Sequence, residues 1–552
     1  MTEPLVEVRD LVADFPVGGP GGYVRAVDGI SFTLGAGRAL GIVGESGSGK
    51  STVAAALLGL HRGTGARLAG TVRVGGTDVA TATAAELRRL RGGTAAMVFQ
   101  DPLSSLDPYY AIGDQIAEVH RVHADVSRRA ARARAVEVLD RVGIPDAARR
   151  SRARPHEFSG GMRQRALIAM ALACEPRLLI ADEPTTALDV TVQAQILDLL
   201  HGLREERGLG LLLVTHDVGV AAENVDELLV MRDGAAVERG PVSEVLSAPG
   251  DPYTRALLSA VPRLDAPREP RTPAGTPAAA GRRPAPGKAG PPVVEALALR
   301  REFGRGKRAV TAVGGVSLAV RAGETLGIVG ESGSGKSTLG RMLVGLLEPS
   351  SGQVRHAGRE TTGLAPGAQM VFQDPVSSLN PRRCVGESIA DPLRAAGERD
   401  TAAIRTRVGE LLRRVGLEPG HYDRYPHEFS GGQRQRVGIA RALAPAPRLI
   451  VCDEPVSALD VTTQAQVTAL LAELQRESGI ALVFIAHDLA VVRQVSDRVA
   501  VMRGGEVVEE GPVDEVYDRP AHAYTRRLLA AVPALDPGLA AERRTVRREV
   551  FA

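Results

Sequence analysis

Tryptophan, cysteine and lysine are scarce in this 552-residue sequence. Tryptophan is absent, aromatic residues make up 3% of the chain, and the four lysines are Lys50, Lys288, Lys307 and Lys336. A core with so few aromatic side chains has to be built from Leu, Val, Ile and Ala. Because nearly every other cation is arginine, a lysine that recurs within a motif indicates a site that needs a compact ammonium group.

The three cysteines, Cys174, Cys384 and Cys452, have spacings that match neither a disulfide framework nor a zinc pattern. We expect them to be buried thiols in a reducing compartment. No run approaches the roughly 18 to 20 apolar residues that span a bilayer, and the sequence begins on a strand-like alternation without a signal segment. A net charge of +3 is too small to indicate a nucleic-acid partner. These absences predict a cytosolic chain that could reach a membrane only through partners.

The sequence GESGSGKS occurs twice, at residues 44–51 and 330–337, and both copies fit the phosphate-binding pattern GxxxxGK[ST]. Each copy follows a short apolar strand, predicted over 39–43 or 325–329, and precedes a predicted helix. The helices are expected over 52–60 and 338–346. Two copies in equivalent contexts argue against a glycine-rich loop without function, so we expect two nucleoside triphosphate sites.

The residue types of the loop suit a polyanion. Glycines let the backbone approach phosphates closely, and the positive end of the following helix points at them. Lys50 and Lys336 supply a full positive charge to the β and γ phosphates, while Ser51 and Ser337 each offer a hydroxyl to Mg²⁺.

The repetition extends over a whole domain. The paired segments are MVFQDPLSSL and MVFQDPVSSL, ending at 106 and 379; HEFSGGMRQR and HEFSGGQRQR, at 156–165 and 427–436; and LLIADEP and LIVCDEP, at 178–184 and 449–455. The last two pairs keep a constant separation of 271 positions. We therefore predict two domains, 1–265 and 293–552, joined by a Pro-, Ala- and Gly-rich linker at 266–292.

Within each half, apolar runs such as 210–215 and 480–486 alternate with helical segments, which predicts an α/β core with a mostly parallel sheet. Stretches with helical spacing at 134–142 and 404–415 predict a separate helical subdomain in each half.

Two further patterns indicate chemistry at the ends of these strands. The carboxylate pairs Asp182-Glu183 and Asp453-Glu454 each follow an apolar strand, whose alternation would let the two side chains do different jobs. His216 and His487 end another predicted strand, where each could contact a γ phosphate or orient a water. A lone histidine is more often structural, but its repetition beside two phosphate loops favours the functional interpretation.

These motifs together resemble the ATP-binding cassette ATPases over nearly the whole chain. The resemblance identifies Walker A at both phosphate loops, SGG signatures at 159–161 and 430–432, and D-loops at 186–189 and 457–460. It implies two P-loop NTPase domains, each with a RecA-like parallel core, an antiparallel β part and a helical subdomain. The implied catalytic residues are Glu183, Glu454, His216 and His487. The implied Mg²⁺ ligands are Ser51, Gln100, Asp182, Ser337, Gln373 and Asp453. The implied ATP-binding residues are Tyr23, Gly44, Glu45, Ser46, Gly47, Ser48, Gly49, Lys50, Ser51, Thr52, Gln100, Ser159, Gly160, Gly161, Gly330, Glu331, Ser332, Gly333, Ser334, Gly335, Lys336, Ser337, Thr338, Gln373, Ser430, Gly431, Gly432 and Gln433.

Tyr23 is assigned as the aromatic that stacks on adenine in the first half, and Phe303 is the aromatic available in the second. A narrower resemblance is to the ATPases of dipeptide, oligopeptide and nickel importers. It rests on the QDPxSSLxP segments and on the segments DPYTRALLSAVP at 251–262 and HAYTRRLLAAVP at 522–533. Importers of this kind usually pair an SGGM chain with an SGGQ chain, and this sequence looks like both fused. The cysteine positions exclude the iron–sulfur cluster of some relatives.

The resemblance implies that the halves form an intramolecular pseudo-dimer, with each ATP between one Walker A loop and the other half's SGG. It also implies two membrane permease subunits, an extracytoplasmic solute-binding protein and a peripheral position on the cytoplasmic face of the membrane. Di- or oligopeptides are the leading cargo, while glutathione, nickel chelates and oligosaccharides remain open. The main rival is a tandem cassette factor that acts on ribosomes, which usually has a charged helical linker and lacks the switch histidine.

Overall fold

The computed structural model describes residues 3–17, 22–186, 188–265, 291–304, 309–374, 378–457 and 459–551, without the side chains of Leu103, Pro537 and 548–551. All of the predicted linker except Pro291 and Pro292 lies outside the described residues. The chain divides into two compact units. The first consists of Met1–Val261 together with Pro533–Ala552, and the second is Pro262–Val532.

Both units have the same order of ten strands, and most of their helices correspond. The strands are β1 (Val6–Pro16), β2 (Tyr23–Leu34), β3 (Ala39–Val43), β4 (Arg67–Val74), β5 (Thr77–Asp78), β6 (Ala95–Val98), β7 (Leu178–Asp182), β8 (Gly210–Thr215), β9 (Glu227–Arg232), β10 (Ala235–Pro241), β11 (Val294–Phe303), β12 (Val310–Val320), β13 (Thr325–Val329), β14 (Ser351–His356), β15 (Arg359–Glu360), β16 (Ala368–Val371), β17 (Leu449–Asp453), β18 (Ala481–Ile485), β19 (Arg498–Arg503) and β20 (Glu506–Pro512). The helices are α1 (Lys50–Leu57), α2 (Ala84–Arg89), α3 (Pro102–Ser105), α4 (Ile112–His123), α5 (Arg128–Arg141), α6 (Ala147–Arg150), α7 (Gly160–Leu172), α8 (Val190–Arg207), α9 (Val218–Asn224), α10 (Val242–Ser247), α11 (Pro252–Ala260), α12 (Lys336–Leu343), α13 (Val385–Ala395), α14 (Thr401–Arg414), α15 (Gly431–Leu443), α16 (Val461–Ser478), α17 (Leu489–Val495), α18 (Val513–Asp518), α19 (Ala523–Ala530) and α20 (Pro537–Phe551).

A six-stranded sheet forms the centre of each unit, in the order β10-β9-β3-β8-β7-β6 in the first and β20-β19-β13-β18-β17-β16 in the second. The edge pairs β9–β10 and β19–β20 are antiparallel, and the other neighbours are parallel. A four-stranded antiparallel sheet, β2-β1-β4-β5 or β12-β11-β14-β15, accompanies it. The α/β class predicted from the sequence is confirmed.

The central strands are apolar because helices or the second sheet cover both of their faces. All residues of β3 and β13 are buried, and these strands coincide with the predicted ones. The strand over 210–215 is also confirmed as β8, whereas β18 is one residue shorter at each end than predicted. The helices after the phosphate loops begin two residues earlier than predicted, at Lys50 and Lys336, and end three residues earlier.

The two predicted helical stretches overlap longer helices, α5 and α14, and each runs one residue past the helix end, to 142 and 415. In α14 the predicted apolar face is buried, including Ile404, Val408, Leu411 and Leu412. Aliphatic side chains dominate both cores, as the scarcity of aromatics requires.

The cysteines behave differently from one another. All three are free and Cys452 is buried in β17, but Cys174 and Cys384 are only half-buried. The prediction that all three are buried is therefore wrong for two of them. Cys384 is the residue just before α13, and Cys174 lies just beyond the end of α7, so neither lies within a central strand.

Residues 533–551, which we call the returning segment, follow the second cassette in sequence but belong to the first compact unit. Arg547 is 2% exposed and donates hydrogen bonds to Asp198 of α8 (3.2 Å) and Glu223 of α9 (3.1 Å). The Ala534 N–H donates to the second carboxylate oxygen of Glu223, at 2.8 Å. Burial raises the pKa of Glu223 although Arg547 opposes the shift. The returning segment is therefore held by a buried ion pair.

Only the first half carries the residues that receive this segment. Its contacts include Asp198, His201 and Glu223, and the positions 271 residues later hold Ala469, Ala472 and Gln494. The three positions that bind the returning segment therefore hold polar or charged side chains in the first half, whereas the corresponding positions of the second half hold uncharged ones. No helix among the described residues combines the length and the apolar character that crossing a bilayer requires.

Candidate functional site: two phosphate loops with carboxylate and histidine partners

The first phosphate loop connects β3 to α1. Gly49 caps the helix in the left-handed region, at φ 94°, and a Cβ there would lie 2.2 Å from the Ala26 carbonyl oxygen. The loop therefore requires glycine at this position. The buried Lys50 ammonium donates hydrogen bonds to the carbonyl oxygens of Gly44 (2.8 Å) and Glu45 (2.7 Å). The loop is thus folded around its own lysine.

The second loop, between β13 and α12, repeats this geometry. Gly335 has φ 101°, and a Cβ there would lie 2.1 Å from the Ala312 oxygen. Lys336 donates to the oxygens of Gly330 (2.7 Å) and Glu331 (2.9 Å).

Each loop serine faces an aspartate at the end of a neighbouring strand. Ser51 Oγ donates to Asp182 Oδ1 at 3.0 Å, and Ser337 Oγ donates to Asp453 Oδ1 at 2.7 Å. Hydroxyl and carboxylate oxygens are ligands that Mg²⁺ accepts, with nucleotide phosphates and waters completing its shell. Burial raises the pKa of Asp182 to about 6 and also raises that of Asp453. A buried carboxylate beside a phosphate loop is suited to a cation, and these pairs could hold Mg²⁺.

The adjacent glutamates do not continue the strands. Glu183 and Glu454 have φ of 46° and 47°, in the left-handed region that non-glycine residues rarely occupy. Their N–H groups remain hydrogen-bonded to the next strand, to Val214 (2.8 Å) and Ile485 (2.9 Å). The expected divergence of Asp and Glu therefore arises from a strained turn and not from strand alternation, and such strain concentrates at functional sites.

The Glu183 carboxylate is held by residues from three segments. Gln100 Nε2 donates to it at 2.8 Å, Thr186 Oγ1 donates at 2.9 Å, and His216 Nδ1 lies 3.3 Å away. Burial opposes ionisation of Glu183, but His216, Thr186 and Lys50 together lower its pKa. The hydrogen bond to Glu183 raises the pKa of His216.

The second half repeats the contacts from a glutamine and a histidine. Gln373 Nε2 donates to Glu454 at 2.7 Å, and His487 Nδ1 lies 3.4 Å from that carboxylate. Burial opposes ionisation of both partners; even so, His487 and Lys336 lower the pKa of Glu454, and Glu454 raises the pKa of His487. Each glutamate is therefore a partly buried anion whose orientation depends on a glutamine and a histidine.

The two signatures begin helices α7 and α15. The hydroxyls of Ser159 and Ser430 cap them by accepting the N–H of residues 162 and 433, each at 3.3 Å. The last signature glycine is required by packing, since a Cβ on Gly161 would lie 2.4 Å from Val192 and one on Gly432 would lie 2.2 Å from Thr463. The start of each signature helix therefore packs closely against the helix that follows the D-loop.

The difference between SGGM and SGGQ has a local consequence. Gln433 Oε1 accepts the Ser430 N–H at 3.0 Å and completes a reciprocal capping box, whereas methionine at 162 has no oxygen to offer. The second signature helix therefore has one more satisfied N–H at its start.

Both adenine candidates already contact an arginine. The Arg67 guanidinium lies 4.0 Å from the centre of the Tyr23 ring, and Arg301 lies 4.9 Å from that of Phe303. Each ring is partly exposed, so its assignment as an adenine platform stays a prediction.

Two groups of residues escaped the sequence reasoning. Thr186 in the first D-loop donates to Glu183, whereas the corresponding Ser457 donates to the backbone oxygen of Glu454 at 3.2 Å. The hydroxyl repeated in TALD and SALD was the signal available for both. Ala187 and Ala458 of these D-loops lie outside the described residues. The second group, Tyr253 and Tyr524, contacts the phosphate loops.

The family models place both halves in one class. A model described as ABC transporter matches residues 27–186 and 313–457, and one described as oligopeptide/dipeptide transporter, C-terminal region, matches 237–289 and 508–551. The chain is similar to the glutathione import ATP-binding protein GsiA of Salmonella paratyphi A, with 46% identity, covering 95% of this chain and 89% of that protein. It is 47% identical to the protein of the same name in Escherichia coli K12, covering 93% and 87%.

Among solved structures, the chain is similar to ATP-binding cassettes that each cover about two fifths of it. A post-hydrolysis dimer of the cassette MJ0796 with ADP and Pi is 32% identical and covers 40% of this chain and 98% of that one, at a TM-score of 0.37. The cassette cbiO1 from Clostridium perfringens is 30% identical and covers 42% and 92%, at a TM-score of 0.38. The repeated motifs and the full-length relatives together show that the chain belongs to the ATP-hydrolysing subunits of ABC importers of the dipeptide and oligopeptide family, with two cassettes in one polypeptide.

Proposed function

We propose that this chain powers the import of a small peptide and that glutathione is the first cargo to test. The observation that carries the proposal is the oligopeptide-type segment after each cassette, combined with 46–47% identity to glutathione import proteins over nearly the whole chain. Dipeptides, longer oligopeptides, nickel chelates and oligosaccharides are the alternatives that a cargo screen has to include.

We expect the site residues to have three different roles in ATP hydrolysis: phosphate binding, Mg²⁺ binding and proton transfer. Lys50 and Lys336, with their loop N–H groups, would bind the β and γ phosphates, and the serine and aspartate pairs would hold Mg²⁺ with Gln100 and Gln373. Bound Mg²⁺ would neutralise charge on the phosphates. The glutamates would take a proton from the attacking water, and the histidines would orient the glutamates and contact the γ phosphate.

Gln100 connects these functions through a single amide. Its nitrogen donates to Glu183, and this hydrogen bond does not use the amide oxygen, which is the atom a cation needs. If Gln100 leaves Glu183 when nucleotide and Mg²⁺ bind, the carboxylate oxygen that accepted its hydrogen bond becomes available to take a proton from water.

We further propose that the two halves form both ATP sites within one chain, Lys50 sharing a nucleotide with Ser430 to Gly432 and Lys336 with Ser159 to Gly161. In the Glu183→Gln, Glu454→Gln double variant, ATP with Mg²⁺ should reduce the radius of gyration without raising the mass. Cysteines placed beside Ser48 and Gly432, in a background lacking the native thiols, should crosslink within a chain only with ATP. ATP-driven dimers with crosslinks between chains would contradict this arrangement.

The partners we propose are two membrane permease subunits and an extracytoplasmic solute-binding protein, with the ATPase peripheral on the cytoplasmic face. Expressed alone, the protein should remain in the supernatant. Co-expressed with permeases encoded beside it, it should pellet with membranes.

The cargo can be tested with the ATPase and its permeases in nanodiscs, together with the binding protein. Saturating glutathione should raise the rate of ATP hydrolysis several-fold above the rate with an unrelated amino acid. Stimulation by another cargo would replace glutathione, and co-sedimentation with ribosomes would refute the import role.

A further inference from the structure

The first residue after the leading glycine of each phosphate loop is contacted by a tyrosine from the segment that follows the cassette. The Glu45 N–H donates to the Tyr253 hydroxyl at 3.3 Å, and the Glu331 N–H donates to the Tyr524 hydroxyl at 3.0 Å. Each donor is about 200 residues from its tyrosine in sequence. The same contact occurs independently in both halves.

The contacted residue is also the one that holds the phosphate-binding lysine. Lys50 donates to the Glu45 carbonyl, and Lys336 donates to the Glu331 carbonyl. The peptide groups on both sides of this residue are therefore engaged, the N–H by tyrosine and the C=O by lysine. Because the loop is rich in glycine, fixing its backbone costs conformational entropy, and an anchor reduces what nucleotide binding has to supply.

Hydrogen bonds at the start of its helix fix the position of each tyrosine. Tyr253 and Tyr524 are the second residues of helices α11 and α19, and their own N–H groups donate to the capping side chains Asp251 (2.7 Å) and His522 (3.1 Å). The capping loops are fixed in turn by carboxylates of the edge strands. Glu238 of β10 accepts the Gly250 N–H at 2.7 Å, and Glu509 of β20 accepts the Ala521 N–H at 2.7 Å.

The rings have a second contact on the sheet side. The guanidinium of Arg232 lies 5.1 Å from the centre of the Tyr253 ring, and that of Arg503 lies 5.1 Å from the centre of the Tyr524 ring. These arginines are the last residues of β9 and β19, strands adjacent to those that enter the phosphate loops. The tyrosine hydroxyl is therefore positioned from the sheet that also positions the loop.

We infer that Tyr253 and Tyr524 are positioning residues for ATP binding, which pre-organise the phosphate loop through one hydroxyl each. This gives a function to the tyrosine of the YT sequence that occurs in both post-cassette segments. The inference concerns nucleotide affinity alone, so it does not depend on the cargo, and its test succeeds or fails without a permease.

The test is the Tyr253→Phe, Tyr524→Phe double variant, which removes both hydroxyls and keeps both rings. Losing one neutral hydrogen bond at each loop should raise the KM for ATP and the Kd for a fluorescent ATP analogue about three- to tenfold. The kcat should stay within about twofold, because the variant leaves the glutamates, histidines and glutamines in place. Tyr422→Phe is the matched control, since its hydroxyl donates to Glu387 at 2.7 Å in the helical region of the second unit.

A structural role and a positioning role give different results. An unchanged KM and Kd would overturn the inference, as would a fall in kcat without a change in KM, or an equal loss of affinity in Tyr422→Phe. If the double variant has a melting temperature far below wild type, the single variant at the half-buried Tyr253 takes its place. That variant should weaken one class of sites and leave the other unchanged, and equal weakening of both or neither would contradict the inference.

Discussion

Replacing Glu183 or Glu454 with glutamine should leave ATP binding intact and slow hydrolysis by about two orders of magnitude or more, the range expected for loss of a positioned base. The amide keeps the size of the side chain but cannot take a proton from water. Lys50, Ser51 and Asp182 contact one another or the loop without using Glu183, so the binding half of the site should persist. Single-turnover ATPase rates and equilibrium ATP binding measure the two effects separately.

Glu175→Gln is the matched control for this prediction. Glu175 is an exposed glutamate that also has a left-handed backbone, at φ 54°, and it pairs with Arg134 and Arg207 away from the phosphate loops. Its substitution should leave turnover unchanged. Both glutamates accept a hydrogen bond from a glutamine and lie beside a histidine, so we expect both single variants to be impaired. Normal turnover in Glu183→Gln together with abolished turnover in Glu454→Gln would refute two equally competent sites.

Removal of the Arg547 side chain should detach the returning segment from the first unit. Breaking one partner of a buried ion pair costs about 3–5 kcal/mol. The buried Glu223 would lose its ion-pair partner, whereas Asp198 is partly exposed and still has Arg544 at 3.9 Å. The chain can limit this cost by releasing the segment. In Arg547→Ala, we therefore expect backbone amides of 538–547 to lose hydrogen-exchange protection and limited proteolysis to cut near Pro533.

An exposed ion pair in the same unit provides the comparison. Arg149 pairs with Asp146 while both side chains are at least 70% exposed, so Arg149→Ala should cost no more than about 1 kcal/mol and leave protection of 538–547 unchanged. The Glu223→Gln, Arg547→Met double variant should recover part of the loss, because it removes both charges. Equal protection in Arg547→Ala and Arg149→Ala would show that the ion pair does not hold the segment.

The parts of the site that the sequence predicted are those set by local patterns. The apolar run 39–43 and the spacing of GxxxxGKS were enough to place β3, the loop and Lys50. The helix start at Lys50 was missed because Gly49, in the left-handed region, caps the helix before the apolar pattern begins. The left-handed turn at Glu183 was missed for a related reason: its hydrogen bond to Val214 depends on a neighbouring strand, which periodicity cannot reveal.

Long-range contacts account for the other omissions. Tyr253 reaches Glu45 across about 200 residues, and Glu223 binds Arg547 across more than 300. Nothing in the sequence around Tyr253 or Arg547 indicates these contacts, because Tyr253 lies early in a short helix and Arg547 lies in a segment with several other arginines. Comparison of the two halves would have been informative, since the tyrosine is duplicated and Glu223 is replaced by Gln494.

The placement of the returning segment also sets an order of events during synthesis. The first compact unit includes residues 533–551, but the ribosome makes all of Pro262–Val532 before them. At about 5–20 residues per second, this interval lasts roughly a quarter of a minute to a minute. Throughout it the nascent first cassette carries Glu223 and Asp198 without Arg547, so its α9 surface is open to chaperones and other chains. If the two cassettes were encoded by separate genes, the first cassette would lack this segment unless the second chain bound to it and supplied residues 533–551.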